Sequence, residues 1–169
     1  SFTASHTPGT IFALGTSTVT YTATDDCGNT EVCSFNINVI DDEPPVITTC
    51  ASDKTLSADN NCQVQVPDLT IELAAYDNCS PAITITQQPA AGNLISVGTT
   101  QVTLTVTDGS GNSTVCYADL TVIDDTAPVL VSIDTTAYIG PGNTVTIDSS
   151  YVFDATASSD NCGISSVTI

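Results

Sequence analysis

The chain has almost no positive charge. Its 169 residues hold 19 Asp and Glu against a single Lys or Arg, which is Lys54, so the formal charge is −18. Nothing is present to neutralise phosphates, which excludes a protein that tracks a nucleic-acid backbone and argues equally against insertion into or docking on an anionic membrane. Trp and Met are missing, Phe and Tyr are few, and no apolar run approaches the roughly 20 residues that a membrane helix needs. Any core is therefore built from Val, Ile, Leu and Ala, and such cores are thin. The numbered residues show no initiator Met and no secretory leader, so export and anchoring signals are expected elsewhere in a longer protein.

What is abundant points outside the cell. Seven Cys in a Thr- and Ser-rich chain fit a compartment that permits disulfides, where thin cores are stapled. A metal reading of these Cys as a zinc site finds no CxxC pair and no nearby His.

The chain repeats itself. Ile40-Asp41-Asp42-Glu43-Pro44-Pro45-Val46-Ile47 returns further on as Ile123-Asp124-Asp125-Thr126-Ala127-Pro128-Val129-Leu130. Each is an apolar run ending in adjacent acids, then prolines that forbid ladder hydrogen bonds, then a new apolar run, which reads as a domain junction. Residues 1–41 map onto 84–124 without a gap, and Asp160-Asn161-Cys162 follows Asp77-Asn78-Cys79 at the same offset. The organisation expected is the C-terminal half of one repeat (1–41), a complete repeat (42–124) and the N-terminal half of another (125–169). Either a tandem array has been cut at an arbitrary place, or the two halves complete each other between neighbouring subunits by strand addition, giving a head-to-tail filament.

Alternation of period two runs through both copies. Val19, Tyr21 and Ala23 oppose Thr20, Thr22 and Thr24, and Cys33, Phe35, Ile37 and Val39 oppose Ser34, Asn36 and Asn38. Between these strands, Asp25-Asp26-Cys27-Gly28-Asn29 and Asp108-Gly109-Ser110-Gly111-Asn112 supply hairpin turns. In the complete repeat, strands are predicted at 46–49, 63–66, 82–88, 101–107 and 113–123, with a short one near Leu94, and no amphipathic helix. The fold class is all-β: tandem immunoglobulin-like β-sandwich repeats of about 83 residues.

The motifs DNC at 77–79, VGTTxVTLTVTD at 97–108, GxGNSTVC at 109–116 and DLTVIDDTAP at 119–128 together resemble the hyalin repeat (HYR) domain, an immunoglobulin-like module of adhesive extracellular proteins. Ala127 to Ile169 is more similar to the variant repeats of very large surface adhesins from gliding Bacteroidetes, and it lacks counterparts of Cys50 and Cys62. The resemblance implies adhesion or a stalk role and no catalytic residues.

Repeat phase sets the expected disulfides. Cys50 and Cys62 flank the first interstrand loop and are expected to bond; Cys79 is expected to bond Cys116; and Cys162 is expected to seek Cys33 of a complementary half-domain. Cys27 is left over at the position of Ser110, as a free thiol, an intermolecular link or a competitor of Cys33.

In an immunoglobulin-like sandwich the N-terminal lead-in, the loop between the second and third strands and the last hairpin meet at one end. That would gather Asp41, Asp42 and Glu43, Asp77 and Asn78, and Asp108 and Asn112. The other junction repeats the set with Asp124, Asp125, Asp160 and Asn161, plus Asp25, Asp26 and Asn29 from the completing half. Ten of the nineteen acids lie in these two sets, and hard oxygen donors without His or thiolate suit Ca²⁺. The competing reading is that Asp and Asn serve turns and solubility.

Other signals weigh less. The Thr ladders on β-faces are ordinary, and the acceptors Asn78-Cys79-Ser80 and Asn112-Ser113-Thr114 fall in the proposed metal and turn loops. Paired acids could serve a glycosidase, but here they lie at a joint, with no aromatic platform and with His6 alone. The expected function is an extracellular, cell-surface stalk or filament whose partners are neighbouring copies of the repeat, with surface glycans or other cells beyond them. The alternative is a carbohydrate-binding module.

Overall fold

The computed structural model describes residues 1–139, 141–142, 144–147 and 152–166. They form eleven strands: β1 (Phe2–Ala4), β2 (Gly15–Thr24), β3 (Thr30–Val39), β4 (Val46–Thr49), β5 (Lys54–Ser57), β6 (Gln63–Gln65), β7 (Ala74–Tyr76), β8 (Thr84–Gln88), β9 (Leu94–Ser96), β10 (Gly98–Thr107) and β11 (Ser113–Ile123), with a 3-10 turn at Thr70–Glu72. The chain is all-β, as its alternation predicts. Among the described residues no helix is long and apolar enough to cross a membrane.

Two compact units are found. One comprises Ser1–Thr49, Ala74–Ile85 and Thr105–Val115, and the other comprises Cys50–Leu73, Thr86–Leu104 and Cys116–Ile169. The first holds the three-stranded sheet β1-β2-β3, in which β2 and β3 form an antiparallel hairpin with Val19 opposite Phe35 and Tyr21 opposite Cys33. It also holds the β4–β7 pair, Val46 opposite Tyr76. The second holds the β6–β9 pair, Val64 opposite Ile95. A four-stranded sheet of order β5-β11-β10-β8 contributes residues to both.

The inward pattern of β10 and β11 makes the core. Val102, Leu104 and Val106 alternate with half-exposed Thr103, Thr105 and Thr107, and Ala118, Leu120 and Val122 do the same on β11. All six are essentially solvent-free. Val66, Leu69 and Leu73, from the connection between β6 and β7, are buried as well. That connection is irregular, so its polar backbone needs partners. Gln87 on β8 supplies some of them: its Oε1 accepts from the Leu69 amide (2.7 Å) and its Nε2 donates to the carbonyls of Pro67 (3.0 Å) and Pro89 (3.1 Å).

Three elements lie outside the strands read from alternation: β1, β5 and β7. β5 has the largest consequence. It runs parallel to β11, Lys54 beside Leu120 and Ser57 beside Ile123. Its four residues alternate half-buried Lys54 and Leu56 with exposed Thr55 and Ser57, too short and polar a run to register as a strand in sequence. Lys54 turns its ammonium to Glu72 at 2.8 Å.

The parallel course of β5 corrects the disulfide expectation. Cys50 precedes Lys54 by as many positions as Cys116 precedes its partner Leu120; the two Cys are bonded, Cα atoms 6.2 Å apart. Cys50 therefore does not pair with Cys62, nor Cys116 with Cys79. Cys62 sits at a positive-φ position (61°) in the turn before β6 and is bonded instead to Cys162, with Cα atoms 4.7 Å apart. The expected Cys33–Cys162 link is thereby excluded within this chain, and Cys27, Cys33 and Cys79 are free and exposed.

Repeat phase survives in three dimensions. The β4–β7 contact of Val46 with Tyr76 recurs one repeat length further on, as an antiparallel bridge between Val129 and Ser159.

Candidate metal-binding site at the repeat junction

Each acid of the site is first of all a turn former. In the β10–β11 hairpin, Asp108 Oδ1 accepts from the amides of Ser110 (2.9 Å) and Asn112 (2.8 Å), while the Asp108 amide donates to the Asn112 carbonyl (3.0 Å). This is an Asx-type closure, and Gly111 provides the left-handed residue at φ 96°. The β2–β3 hairpin is built the same way on Asp25, whose Oδ1 accepts from Cys27 (2.9 Å) and Asn29 (2.8 Å). In the loop after β7, Asp77 Oδ1 takes the amides of Cys79 (2.9 Å) and Ser80 (2.6 Å). In the lead-in to β4, Asp41 Oδ1 accepts from Glu43 at 3.3 Å.

These turns then converge. One carboxylate oxygen each from Asp41, Asp77 and Asp108 lies within 4.8 Å of the others, although the residues come from three separate stretches of chain. The cross-links between stretches are specific. Asn112 Nδ2 donates to Asp108 Oδ2 (2.9 Å) and to the Asp41 carbonyl (3.1 Å); Asn78 Nδ2 donates to Glu43 Oε2 (2.9 Å); and Ser110 Oγ donates to Asp41 Oδ2 (3.3 Å). Asp42 is exposed next in sequence. Asp108 is only 7% exposed, the one buried charged residue among those described.

The electrostatics are one-sided. Burial pushes the Asp108 carboxyl up, but the hydrogen bonds from the Asn112 side chain and amide and from the Ser110 and Gly111 amides outweigh it, so the group titrates below the ordinary carboxylate range. Asp25 is lowered by the same Asn-amide arrangement, led by the side chain of Asn29. Cys79 goes the other way: desolvation, then the charges of Asp41, Asp77 and Glu43, push its thiol up, so it stays protonated at neutral pH and offers no thiolate. Lys54, the only Lys or Arg side chain, is engaged with Glu72.

Sequence reasoning missed Ser80 and the role of Gly109. Ser80 Oγ accepts from the Gly109 amide (3.1 Å), and a Cβ on Gly109 would stand 2.6 Å from that oxygen, so a larger residue at 109 would turn the Ser80 hydroxyl aside and strain this bond between loop and hairpin. A glycine directly after the turn acid was the available signal.

The second predicted set is not gathered in the same manner. Among the described residues, the only cluster of three or more carboxylate, thiol or imidazole groups is Asp41, Asp77 and Asp108. Asp124 Oδ1 accepts from Thr126 (3.1 Å), Asp125 Oδ2 is taken by the hydroxyl of Ser57 at the end of β5 (2.6 Å), and Asp160 Oδ1 accepts from Cys162 (2.8 Å). Asn161 Nδ2 donates to the Asp59 carbonyl at 3.1 Å. Asp25 and Asn29 close their own hairpin, and Asp26 is exposed.

The chain is similar in sequence to known proteins. The model of the HYR domain family matches residues 1–39 and again 40–122. Hyalin of Strongylocentrotus purpuratus is 39% identical over 139 residues, 78% of this chain and 11% of that protein. The mouse sushi, von Willebrand factor type A, EGF and pentraxin domain-containing protein 1 is 38% identical over 110 residues, 65% of this chain and 3% of that protein. A serine-rich adhesin for platelets from Staphylococcus aureus is 32% identical over 119 residues, 63% of this chain and 8% of that protein. The chain thus spans about a tenth or less of the length of these three relatives, and none of them carries an enzyme's name. With two successive matches in the register of its own internal repeat, the chain belongs to the HYR domain family.

Proposed function

We propose that the chain serves in an extracellular, cell-surface adhesive protein, as HYR repeats standing in series, stapled by disulfides and stiffened at their junctions by Ca²⁺. The observation that carries the calcium reading is the meeting of Asp41, Asp77 and Asp108, with ligand oxygens within 4.8 Å of one another. Ca²⁺ takes six to eight oxygen donors in flexible geometry, and the three gathered carboxylates would supply part of that shell, with solvent oxygens filling the rest. The three gathered donors are carboxylates with no imidazole among them, which suits a hard cation better than zinc. An ion would supply the positive charge that the chain itself withholds from this corner, and would tie the lead-in to β4 against the hairpin and loop of the same repeat.

Adhesion follows from kinship. Hyalin and the adhesin for platelets are relatives of this chain, and a stalk needs no pocket, only stiffness and reach. Neighbouring copies of the repeat are its first partners, with surface glycans or other cells beyond them.

Thermal unfolding together with small-angle scattering, in excess Ca²⁺ and in chelator, tests this reading. At tenfold excess over Kd, binding adds about 1.4 kcal/mol, and at about 4–8 °C per kcal/mol for a domain of this size the melting point should rise by roughly 5–10 °C. Maximum dimension should rise with it. If neither quantity responds, the acids are turn formers and solubilising groups only.

A further inference from the structure

The two junctions of this chain are fastened by different chemistry. At the first, carboxylates of Asp41, Asp77 and Asp108 gather. At the second, Asp124 and Asp160 are spent on the amides of Thr126 and Cys162, and what crosses the joint is covalent. Cys62 lies inside the repeat matched over 40–122, and the Cys162 to which it is bonded lies in the repeat that follows.

Both cysteines are presented by turns and not by strands. Asp59 Oδ1 accepts from the amides of Asn61 (2.8 Å) and Gln63 (3.0 Å), and the Asp59 carbonyl accepts from the Cys62 amide (3.0 Å), which holds Cys62 at its positive φ. Opposite it, the Asp160 turn holds Cys162, and the Val129–Ser159 bridge anchors that loop.

Little else fastens this joint. Among the described residues beyond Thr126, a single hydrogen bond reaches back across it, from Asn161 Nδ2 to the Asp59 carbonyl (3.1 Å). Residues 126–130 are exposed, and an open crevice of about 330 Å³ between turn and loop is lined by Asn60, Ala127, Val129 and Asn161. Asn161 Oδ1 is buried with no hydrogen-bond partner among the described residues, which costs free energy for as long as the joint stays closed. The disulfide therefore holds closed what packing alone does not.

We propose that Cys62–Cys162 is a redox-operated latch across the second junction: a dithiol reductant opens it and frees the repeat that begins at Asp125, while the sheet of β10 and β11 stays folded. One thiolate of the reductant attacks a sulfur of the pair and forms a mixed disulfide, and its second thiolate then displaces the remaining Cys sulfur. Two electrons and two protons pass to Cys62 and Cys162, which end as thiols, and the reductant ends as a disulfide. An oxidising exterior keeps the latch shut.

All four bonded cysteines are half-buried, so access to sulfur does not separate this bond from Cys50–Cys116. The step after the first attack does. Pairing of Lys54–Ser57 with Leu120–Ile123 keeps Cys50 opposite Cys116, so an expelled thiolate there closes again at high effective concentration. A released Cys162 has the Asn161 hydrogen bond and little more to hold it near Cys62. This inference deepens the proposed array and rests on repeats standing in series, but it concerns a joint closed by oxidation and not by Ca²⁺.

The test uses the 169-residue protein, nitrogen-15 labelled, in chelator. Cys27→Ser, Cys33→Ser and Cys79→Ser remove the free thiols, so that none exchanges with the latch. Dithiothreitol is added, timed samples are alkylated, and their peptides are mapped. Cys62 and Cys162 should be alkylated on the order of tenfold sooner than Cys50 and Cys116. In the oxidised protein the amides of Val129, Ser159 and Asp160 should relax like those of Leu104 and Leu120. Once the latch is reduced they should relax more slowly, as a segment moving by itself, with the amide-to-amide contact of Val129 and Ser159 retained. Adding Cys62→Ser to the same protein should give the reduced pattern without reductant. No Cys62–Cys162 peptide in the oxidised protein, equal reduction of both bonds, unchanged relaxation, or loss of the Val129–Ser159 contact on reduction overturns the proposal. Repetition in Ca²⁺ separates the two readings: a working latch with no Ca²⁺ binding sinks the calcium reading alone, and Ca²⁺ binding with relaxation indifferent to reduction sinks this inference alone.

Discussion

Asn112 reaches 71 residues back along the chain to donate its side-chain Nδ2 to the main-chain oxygen of Asp41, 3.1 Å away, and the same nitrogen donates to Asp108 Oδ2. One amide thus closes the last hairpin and ties it to the lead-in of its own repeat.

The hydrogen bonds on Asp108 give a pH dependence with a definite sign. Its folded carboxyl titrates below the unfolded value of about 3.9, so its contribution to stability is fully present above that value and is lost as pH falls through the folded one. In chelator, the melting point of the unsubstituted protein should fall steeply below about pH 4. Asn112→Ala should lower the neutral-pH melting point on the order of 5 °C and flatten that acid limb. Parallel curves for the two proteins would show that the Asn112 amide does not hold Asp108 ionised.

Reduction should expose the weight of the Cys50–Cys116 bond, which closes a separation of 66 residues. In the chain-entropy model such a loop contributes about 4 kcal/mol, so Cys50→Ser with Cys116→Ser should unfold at much lower denaturant, with a steeper slope as the unfolded chain expands. Peptide mapping of the oxidised protein should return Cys50 joined to Cys116. A Cys50–Cys62 peptide would restore the pairing that loop proximity suggested.

Leu104 is completely buried on β10, with Val102 and Val106 flanking it on the same face. Leu104→Ala should cost about 2–5 kcal/mol, while Ile71→Ala, at a side chain 79% exposed, should change stability by less than about 0.5 kcal/mol. Equal losses at the two positions would mean that the core lies elsewhere.

The strands and the acid constellation were legible for different reasons. Alternation is local: Val102 to Val106 and Ala118 to Val122 announce their buried face in their own order. The meeting of Asp41, Asp77 and Asp108 was legible because each stands at a turn marked by Asp, Asn or Gly, and repeat phase put those turns at one end. β5 was illegible, since Lys54-Thr55-Leu56-Ser57 alternates too briefly to stand out and its parallel partner, Leu120 to Ile123, is remote in sequence. That one omission cost the disulfide reading, since without β5 nothing brings Cys50 to Cys116. The phase of the repeat carried further than any single motif, because Val129 meets Ser159 as Val46 meets Tyr76.

Calorimetric titration of Ca²⁺ into the 169-residue protein and into Asp77→Asn tests the central claim most directly. Asn at position 77 keeps an Oδ1 to accept from the amides of Cys79 and Ser80, so the turn survives while the cluster loses a charge. The account predicts saturable binding to the unsubstituted protein, at a Kd in the roughly millimolar range of extracellular modules or tighter, weakened at least tenfold by Asp77→Asn. Absence of saturable binding, or equal binding by both proteins, would contradict it.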